Sequence, residues 1–248
     1  MRAIRLVVAY DGTAFHGWQR QPGLRTVQGV LEECVSELLG EAVRLTAAGR
    51  TDAGCHARGQ VVSFETGSRL PASAIAPALR PRLPAELRVR SSQETWSGFD
   101  ARRSAVARRY AYRLLDAPDV LMERFAWHPP ERLDVDGLVR AVRPLEGEQD
   151  CAAFQSTGST PTRTICRIHR AAWRRWEGGL LLDLVADHFL YHMVRTVVGT
   201  ALDLMHASDP AGAMVGVLAS RDRGGAGPTA PPHGLCLEEV FYPEDRAA

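Results

Sequence analysis

The sequence predicts an α+β protein built from two pseudo-symmetric split-βαβ (ferredoxin-like) halves, with mainly antiparallel sheets and a central cleft. Three observations carry this expectation. The first hundred residues read β-α-β-β-α-β, the split βαβ order. The same order of elements recurs after residue 100, although the residues themselves do not repeat. The chain has 248 residues, 45% of them hydrophobic and 24% charged, which suits one large or two medium domains with buried cores. The expected halves are residues 1–100 and 101–248.

Residues 3–10 read as a strand, and Asp11-Gly12-Thr13 as a turn. Thr26 can cap a helix whose apolar positions are Val27, Val30, Leu31, Cys34, Val35, Leu38 and Leu39, the strongest helical spacing in the chain. Gly40 stops it. Strands are expected at 42–48 and 60–65 around a glycine-bounded loop, 49–59. A short helix at 72–80 contains Pro77, and 87–90 reads as a strand. In the second half, a strand at 108–115 precedes a helix at 135–142. Residues 165–176 and 180–185 form a hairpin across Glu177-Gly178-Gly179. A long helix over 189–206, a second helix at 211–219 and a strand at 235–242 complete the order. Residues 116–132, 155–164 and 221–234 read as loops, and long loops in compact domains are often functional.

Composition removes several chemistries. All 30 basic residues are Arg, and there is no Lys and no Asn. No Walker A lysine, Schiff-base lysine, N-glycosylation sequon or Cys-His-Asn triad is therefore available. The net charge of +1 means that any nucleic-acid role rests on local patches. No apolar run reaches the roughly 18 residues of a membrane span, and the strand-like start shows no signal peptide. The 5 cysteines are odd in number and include no C-x-x-C pair. A cytoplasmic protein with reduced thiols is expected.

Few residues stand out as chemistry. Asp52 sits between glycines in Gly49-Arg50-Thr51-Asp52-Ala53-Gly54-Cys55-His56-Ala57, just after a strand. Glycines permit a tight loop and close ligand approach, but a turn in which Asp52 caps local amides has the same pattern. Arg102, Arg103, Arg108, Arg109 and Arg113 interleave with Tyr110 and Tyr112. Arg163, Arg167, Arg170, Arg174 and Arg175 interleave with Trp173 and Trp176. Arginine binds phosphate bidentately and aromatic rings stack on bases. A solvated strand face in an Arg-rich chain looks similar. Arg108, Tyr110 and Tyr112 share one strand face. Tyr191, Arg195 and Gly199 are spaced by four and are expected on one helix face with His188. His188 and His192 have the i, i+4 spacing of a zinc pair, but Phe189 stands where the glutamate of H-E-x-x-H belongs.

Taken together, the motifs resemble the tRNA pseudouridine synthase A family. Residues 10–21 (YDGTAFHGWQRQ) resemble its opening, and Thr26-Val27-Gln28 with Leu31-Glu32 continue it. Residues 49–57 look like its GRTDAGVHA signature, and residues 99–112 resemble its FHARxSAxxRxYxY segment. Residues 189–199 are similar to its F-x-x-x-MVR-x-x-VG helix, and Gly227-Pro228-Thr229-Ala230-Pro231 with Gly234-Leu235 to its closing motif. The matches run from residue 4 to residue 243.

This resemblance implies isomerisation of uridine to pseudouridine at positions 38, 39 and 40 of the tRNA anticodon stem-loop, by a homodimer without cofactor or metal. Asp52 would be the catalytic aspartate, with Arg50 beside it in the signature. Tyr110 would be the active-site tyrosine, Arg195 the aspartate's partner, and Leu235 an apolar wall for the base. Arg108 is a further candidate for substrate contact, and Arg58, Arg102, Arg103, Arg109 and Arg167 for RNA. Three positions depart from the pattern: Cys55 for Val, Asp100 for His and Arg80 for Asn. The competing readings are a non-catalytic RNA-binding protein and a metal-dependent hydrolase using His188 and His192.

Overall fold

The computed structural model describes residues 1–158 and 163–243. Strand β1 (Arg2–Tyr10) alternates as its sequence demands, with Ile4, Leu6 and Val8 fully buried and Arg5 and Val7 partly exposed. Helix α1 (Val27–Leu39) starts where Thr26 Oγ1 accepts the Gly29 N–H at 3.3 Å, and it ends where Gly40 turns left-handed at a φ of 69°. Strands β2 (Thr46–Ala47) and β3 (His56–Thr66), helix α2 (Ala72–Leu79) and strand β4 (Leu87–Thr95) follow. The spatial order is β4-β1-β3, with β2 beside β3 and every pairing antiparallel. That is the split βαβ arrangement.

Residues Met1–Val106 group with Leu237–Ala248 as one unit, and Ala107–Cys236 form a second. The second contains β5 (Ala107–Leu115), α3 (Val135–Val142), β6 (Gly147–Asp150), β7 (Ile165–Trp176), β8 (Gly179–Ala186), α4 (Met193–Leu204) and α5 (Pro210–Ser220). Its strands are ordered β5-β8-β7-β6, all antiparallel. Helix α3 rests directly on the end of α4, because a Cβ on Gly137 would collide with the Met205 carbonyl. Strand β9 (Leu235–Phe241) carries the chain from the second unit back into the first.

Several expectations change. The strand expected over 42–48 is reduced to Thr46–Ala47, with the Ala48 N–H adding one bond to the Val61 carbonyl at 2.9 Å. Strand β3 starts at His56 rather than 60, so the glycine loop is shorter. Tertiary contact explains this: Gly59 lies against the Glu238 carbonyl too closely for any Cβ, and such a glycine reads locally as loop. Strand β4 extends to Thr95, and β6 was not expected. The helix expected from 189 begins at Met193, after His192 at a φ of 62°. His188 and Tyr191 therefore do not lie on the helix face of Arg195, and His188 and His192 are not a helical i, i+4 pair. Residues 159–162 of the expected 155–164 loop lie outside the described residues. Among the described residues no helix is long and apolar enough to cross a membrane.

Candidate active site

In the first unit, one strand turn and one loop are locked together by main chain. The loop that carries Asp52 is held on both sides of that residue. The Trp18 N–H donates to the Thr51 carbonyl at 3.0 Å, and the Cys55 N–H donates to the Asp52 carbonyl at 3.1 Å. Gly17, at a φ of +80°, presses on the same peptide: a Cβ there would stand 2.9 Å from the Thr51 oxygen and 3.2 Å from the Asp52 carbon. A Cβ on Gly12 would overlap the Cys55 carbonyl. Both glycines of the opening motif thus serve close approach to this loop.

Side chains complete the clamp from below. Thr51 Oγ1 is 2.8 Å from the Tyr10 hydroxyl. Gln60 Nε2 donates to the Gly49 carbonyl at 2.7 Å, while its buried Oε1 has no partner among the described residues. The Gly12 N–H donates to His56 Nδ1 at 3.0 Å. Helix α1 joins the network: the Gln28 N–H donates to the Trp18 carbonyl at 2.9 Å, and buried Glu32 accepts from Gln28 Nε2 at 2.9 Å and from the Leu45 N–H at 3.0 Å. Cys55, at 1% exposure, fills the apolar slot that the motif gives to Val. Asp52 itself is half-buried and Arg50 is exposed.

The second unit supplies the other candidates. Tyr110 on β5 is 8% exposed, and its ring meets Phe189 edge-on, with centroids 4.9 Å apart at 79°. Tyr112 is fully buried, and its hydroxyl donates to the Pro231 carbonyl at 2.8 Å. Arg195 stands on the first turn of α4. Its Nε donates to the Ala230 carbonyl at 2.7 Å, and the Ala230 N–H returns a bond to the Arg195 carbonyl at 3.1 Å. The 227–231 loop reaches this position because helix and loop touch at glycines. A Cβ on Gly199 would overlap the Pro228 carbonyl, and the Gly227 N–H donates to Thr200 Oγ1 at 2.9 Å. Leu235, 7% exposed, starts β9 just past Pro232–Gly234. Burial, then the Arg195 charge, hold His233 below its usual pKa.

The candidate arginines separate into two kinds. Arg58, Arg102, Arg103 and Arg167 are exposed. The Arg102 and Arg103 N–H groups both donate to Asp100 Oδ1 at 2.8 Å, which assigns Asp100 a turn-capping task. Arg108 differs. It is 9% exposed, and its Nη1 donates to the Asp187 carbonyl at 2.8 Å. Arg109 is held bidentately by Asp183, at 2.7 and 3.2 Å, and Arg170 Nε reaches the same carboxylate at 3.3 Å. Asp183 was not singled out in the sequence; one acid within an apolar strand between arginine-rich neighbours was the signal. Tyr10, Gln60, Asp187 and His188 were also missed as supports, because their partners are distant in sequence. The metal reading loses its helical premise: His188 Nδ1 lies 2.9 Å from Asp187 Oδ1, and His192 Nδ1 lies 3.0 Å from Ser156 Oγ. A surface hollow of about 660 Å³ lined by Glu131, Arg132, Leu133, Asp134 and His206 contains none of the candidates.

The chain matches a protein family described as tRNA pseudouridine synthase over residues 6–101 and 141–243. It is 42% identical over 247 residues to tRNA pseudouridine synthase A of Chlorobium luteolum, spanning 99% of this chain and 97% of that protein. With the protein of the same name from Moorella thermoacetica it shares 39% identity over 246 residues, 98% of this chain and 100% of that one. The Geotalea uraniireducens protein is 36% identical over 244 residues, with 98% and 100% covered.

Proposed function

The chain belongs to the tRNA pseudouridine synthase family, and from that premise we propose that it isomerises uridine to pseudouridine at positions 38, 39 and 40 of the tRNA anticodon stem-loop, with Asp52 as its key catalytic residue. The reaction breaks the C1′–N1 bond, turns the uracil and forms C1′–C5, with the C5 proton released and a proton taken up at N1. It consumes no water, electron or phosphate donor. A hydrolytic glycosidase needs two carboxylates flanking the bond; one suffices for an isomerisation that keeps the base.

The clamped loop is the observation that carries this reading. Trp18 and Gly17 fix the peptide before Asp52, and the Cys55 N–H fixes the one after it. A carboxylate fixed at its main chain starts close to its reacting geometry. Its role is attack at C1′, stabilisation of C1′ as N1 leaves, or removal of a sugar proton. Arg195 is its partner in this proposal. The Ala230 carbonyl orients that guanidinium by its Nε.

Tyr110 stacks on the uracil and Leu235 walls it. Arg50 stands beside Asp52 in the loop. Arg108 is assigned to bracing residue 187 rather than to substrate, since it is buried and bonded there. Extracting the target base from its stack costs a few kcal/mol. Contacts of the exposed Arg58, Arg102, Arg103 and Arg167 with phosphates supply it, whereas Arg109 is engaged by Asp183, and a homodimer presents such surfaces from both subunits to one tRNA. The test uses tRNA tritiated at uridine C5, with the modified positions mapped. The protein releases tritium at 38–40. Asp52→Asn abolishes release while tRNA affinity stays within about tenfold, a span of ~1.4 kcal/mol. Near-normal turnover in that variant removes Asp52 from the mechanism, and binding without any release identifies a binding protein.

A further inference from the structure

The segment between β8 and α4 is irregular, yet it is anchored at both ends. At its start, Asp187 Oδ1 accepts the Arg167 N–H at 2.9 Å and the His188 N–H at 2.7 Å, and lies 2.9 Å from His188 Nδ1. Asp187 Oδ2 faces Arg163 Nη2 at 3.4 Å, and the Asp187 carbonyl takes Arg108 Nη1 at 2.8 Å. His188 Nε2 lies 3.3 Å from the Arg163 carbonyl and 3.5 Å from Cys166 Sγ. The Asp187–His188 pair thereby ties β5, β7 and the end of β8 together. At the far end, the Ser156 N–H donates to the Tyr191 carbonyl at 3.1 Å, and His192 Nδ1 meets Ser156 Oγ at 3.0 Å. Between the two anchors stands Phe189, edge-on to Tyr110.

We infer that Phe189 is a positioning residue for Tyr110, held in place by the Asp187–His188 brace. The inference rests on the reading of Tyr110 as the active-site tyrosine. Edge-on contact favours one orientation of the partner ring beyond what its apolar burial supplies. A tyrosine that must lie flat on a uracil depends on that plane. Cys166, His188 and Asp187 are arranged like a nucleophile triad, but that role fails. Cys166 is fully buried, so no substrate reaches its sulfur, and the Cys151 thiol beside it, followed by burial, pushes its own thiol above the usual range.

Turnover by tritium release and urea midpoints are measured for Phe189→Leu, Phe189→Tyr, Tyr110→Leu and the double variant of Phe189→Leu with Tyr110→Leu. Leucine keeps apolar bulk but removes the ring edge; tyrosine restores it. Phe189→Leu lowers kcat by about tenfold with KM within about twofold, the size expected for a misoriented group. Phe189→Tyr recovers most of the missing rate. Once Tyr110→Leu is present, adding Phe189→Leu changes kcat little, because the two residues act as one unit. Multiplicative losses in the double variant, or a full-speed Phe189→Leu beside a slow Tyr110→Leu, overturn the inference alone. Full turnover in Tyr110→Leu overturns the reading of the tyrosine, and the inference falls with it.

Discussion

Gly17 lies against the peptide of Asp52, with room for a hydrogen and no more. A Cβ there would be 3.2 Å from the Asp52 carbon and 3.1 Å from the Ala53 nitrogen, at a φ of +80°. Gly17→Ala therefore meets two penalties, a left-handed residue costing roughly 1–2 kcal/mol and a displaced loop. We expect a folded protein with a lowered urea midpoint and a turnover reduced beyond tenfold. A variant that loses stability while keeping its rate would show that the loop tolerates movement of Asp52.

Asp183 is 2% exposed at its side chain and holds Arg109 and Arg170, which are 31% and 54% exposed. Breaking a fully buried pair costs about 3–5 kcal/mol. Water reaches both guanidiniums here, so we expect about 2 kcal/mol for Asp183→Asn, and under about 1 kcal/mol for Arg170→Ala, whose ion pair is surface-like. Denaturant melts of the two variants compare them directly, and equal losses would contradict this ranking.

His188 introduces a pH dependence. Cys166 Sγ, then the Asp187 carboxylate, raise its pKa from 6.5 to about 9, against burial. Around it stand Asp187, Cys166 and the Arg163 carbonyl, with the Arg163 guanidinium on the far side of the Asp187 carboxylate. Burial alone would raise Asp187, but the Arg167 N–H and His188 hold it below its usual range. A raised pKa in the folded state means stabilisation that is complete below about 6.5 and lost as pH rises through about 9. Thermal melts of the unmodified protein should fall across that window, and His188→Gln should flatten the fall. A parallel decline in both would assign it to other groups.

Phosphate contacts by the exposed arginines make tRNA binding salt-dependent. Log K should fall with log salt, and removing a guanidinium that neutralises one phosphate should reduce the slope by about 0.9 on duplex or 0.7 on single strands. Arg102→Ala, Arg103→Ala and Arg167→Ala are each expected to reduce it. Arg108→Ala, buried on the Asp187 carbonyl, should change stability rather than slope. An unchanged slope in the three exposed variants would remove them from the RNA contact.

Much of the fold was legible because its signals are local. The Thr26 cap, the apolar spacing from Val27 to Leu39 and the Gly40 stop sit within one helix, and each has its partner a few residues away. The hairpin across 177–179 follows from a turn and two strands that adjoin in sequence. The long helix was over-extended for the opposite reason. Residues 189–192 carry helix-compatible spacing, but the distant bonds of Asp187, His188 and His192, with a left-handed His192, fix them in another shape.

The sequence by itself named the residues proposed for the site, through motifs from residue 4 to residue 243, and it set most of the order of helices and strands. Only the tertiary structure decided what supports them. Tyr10 meets Thr51 across 41 positions, Gln60 meets Gly49 across 11, and Asp183 gathers Arg109 from 74 positions away. Local propensity reaches about one helical turn along the chain. Which main chain presses on Asp52, and which ring orients Tyr110, depends on packing between segments remote in sequence.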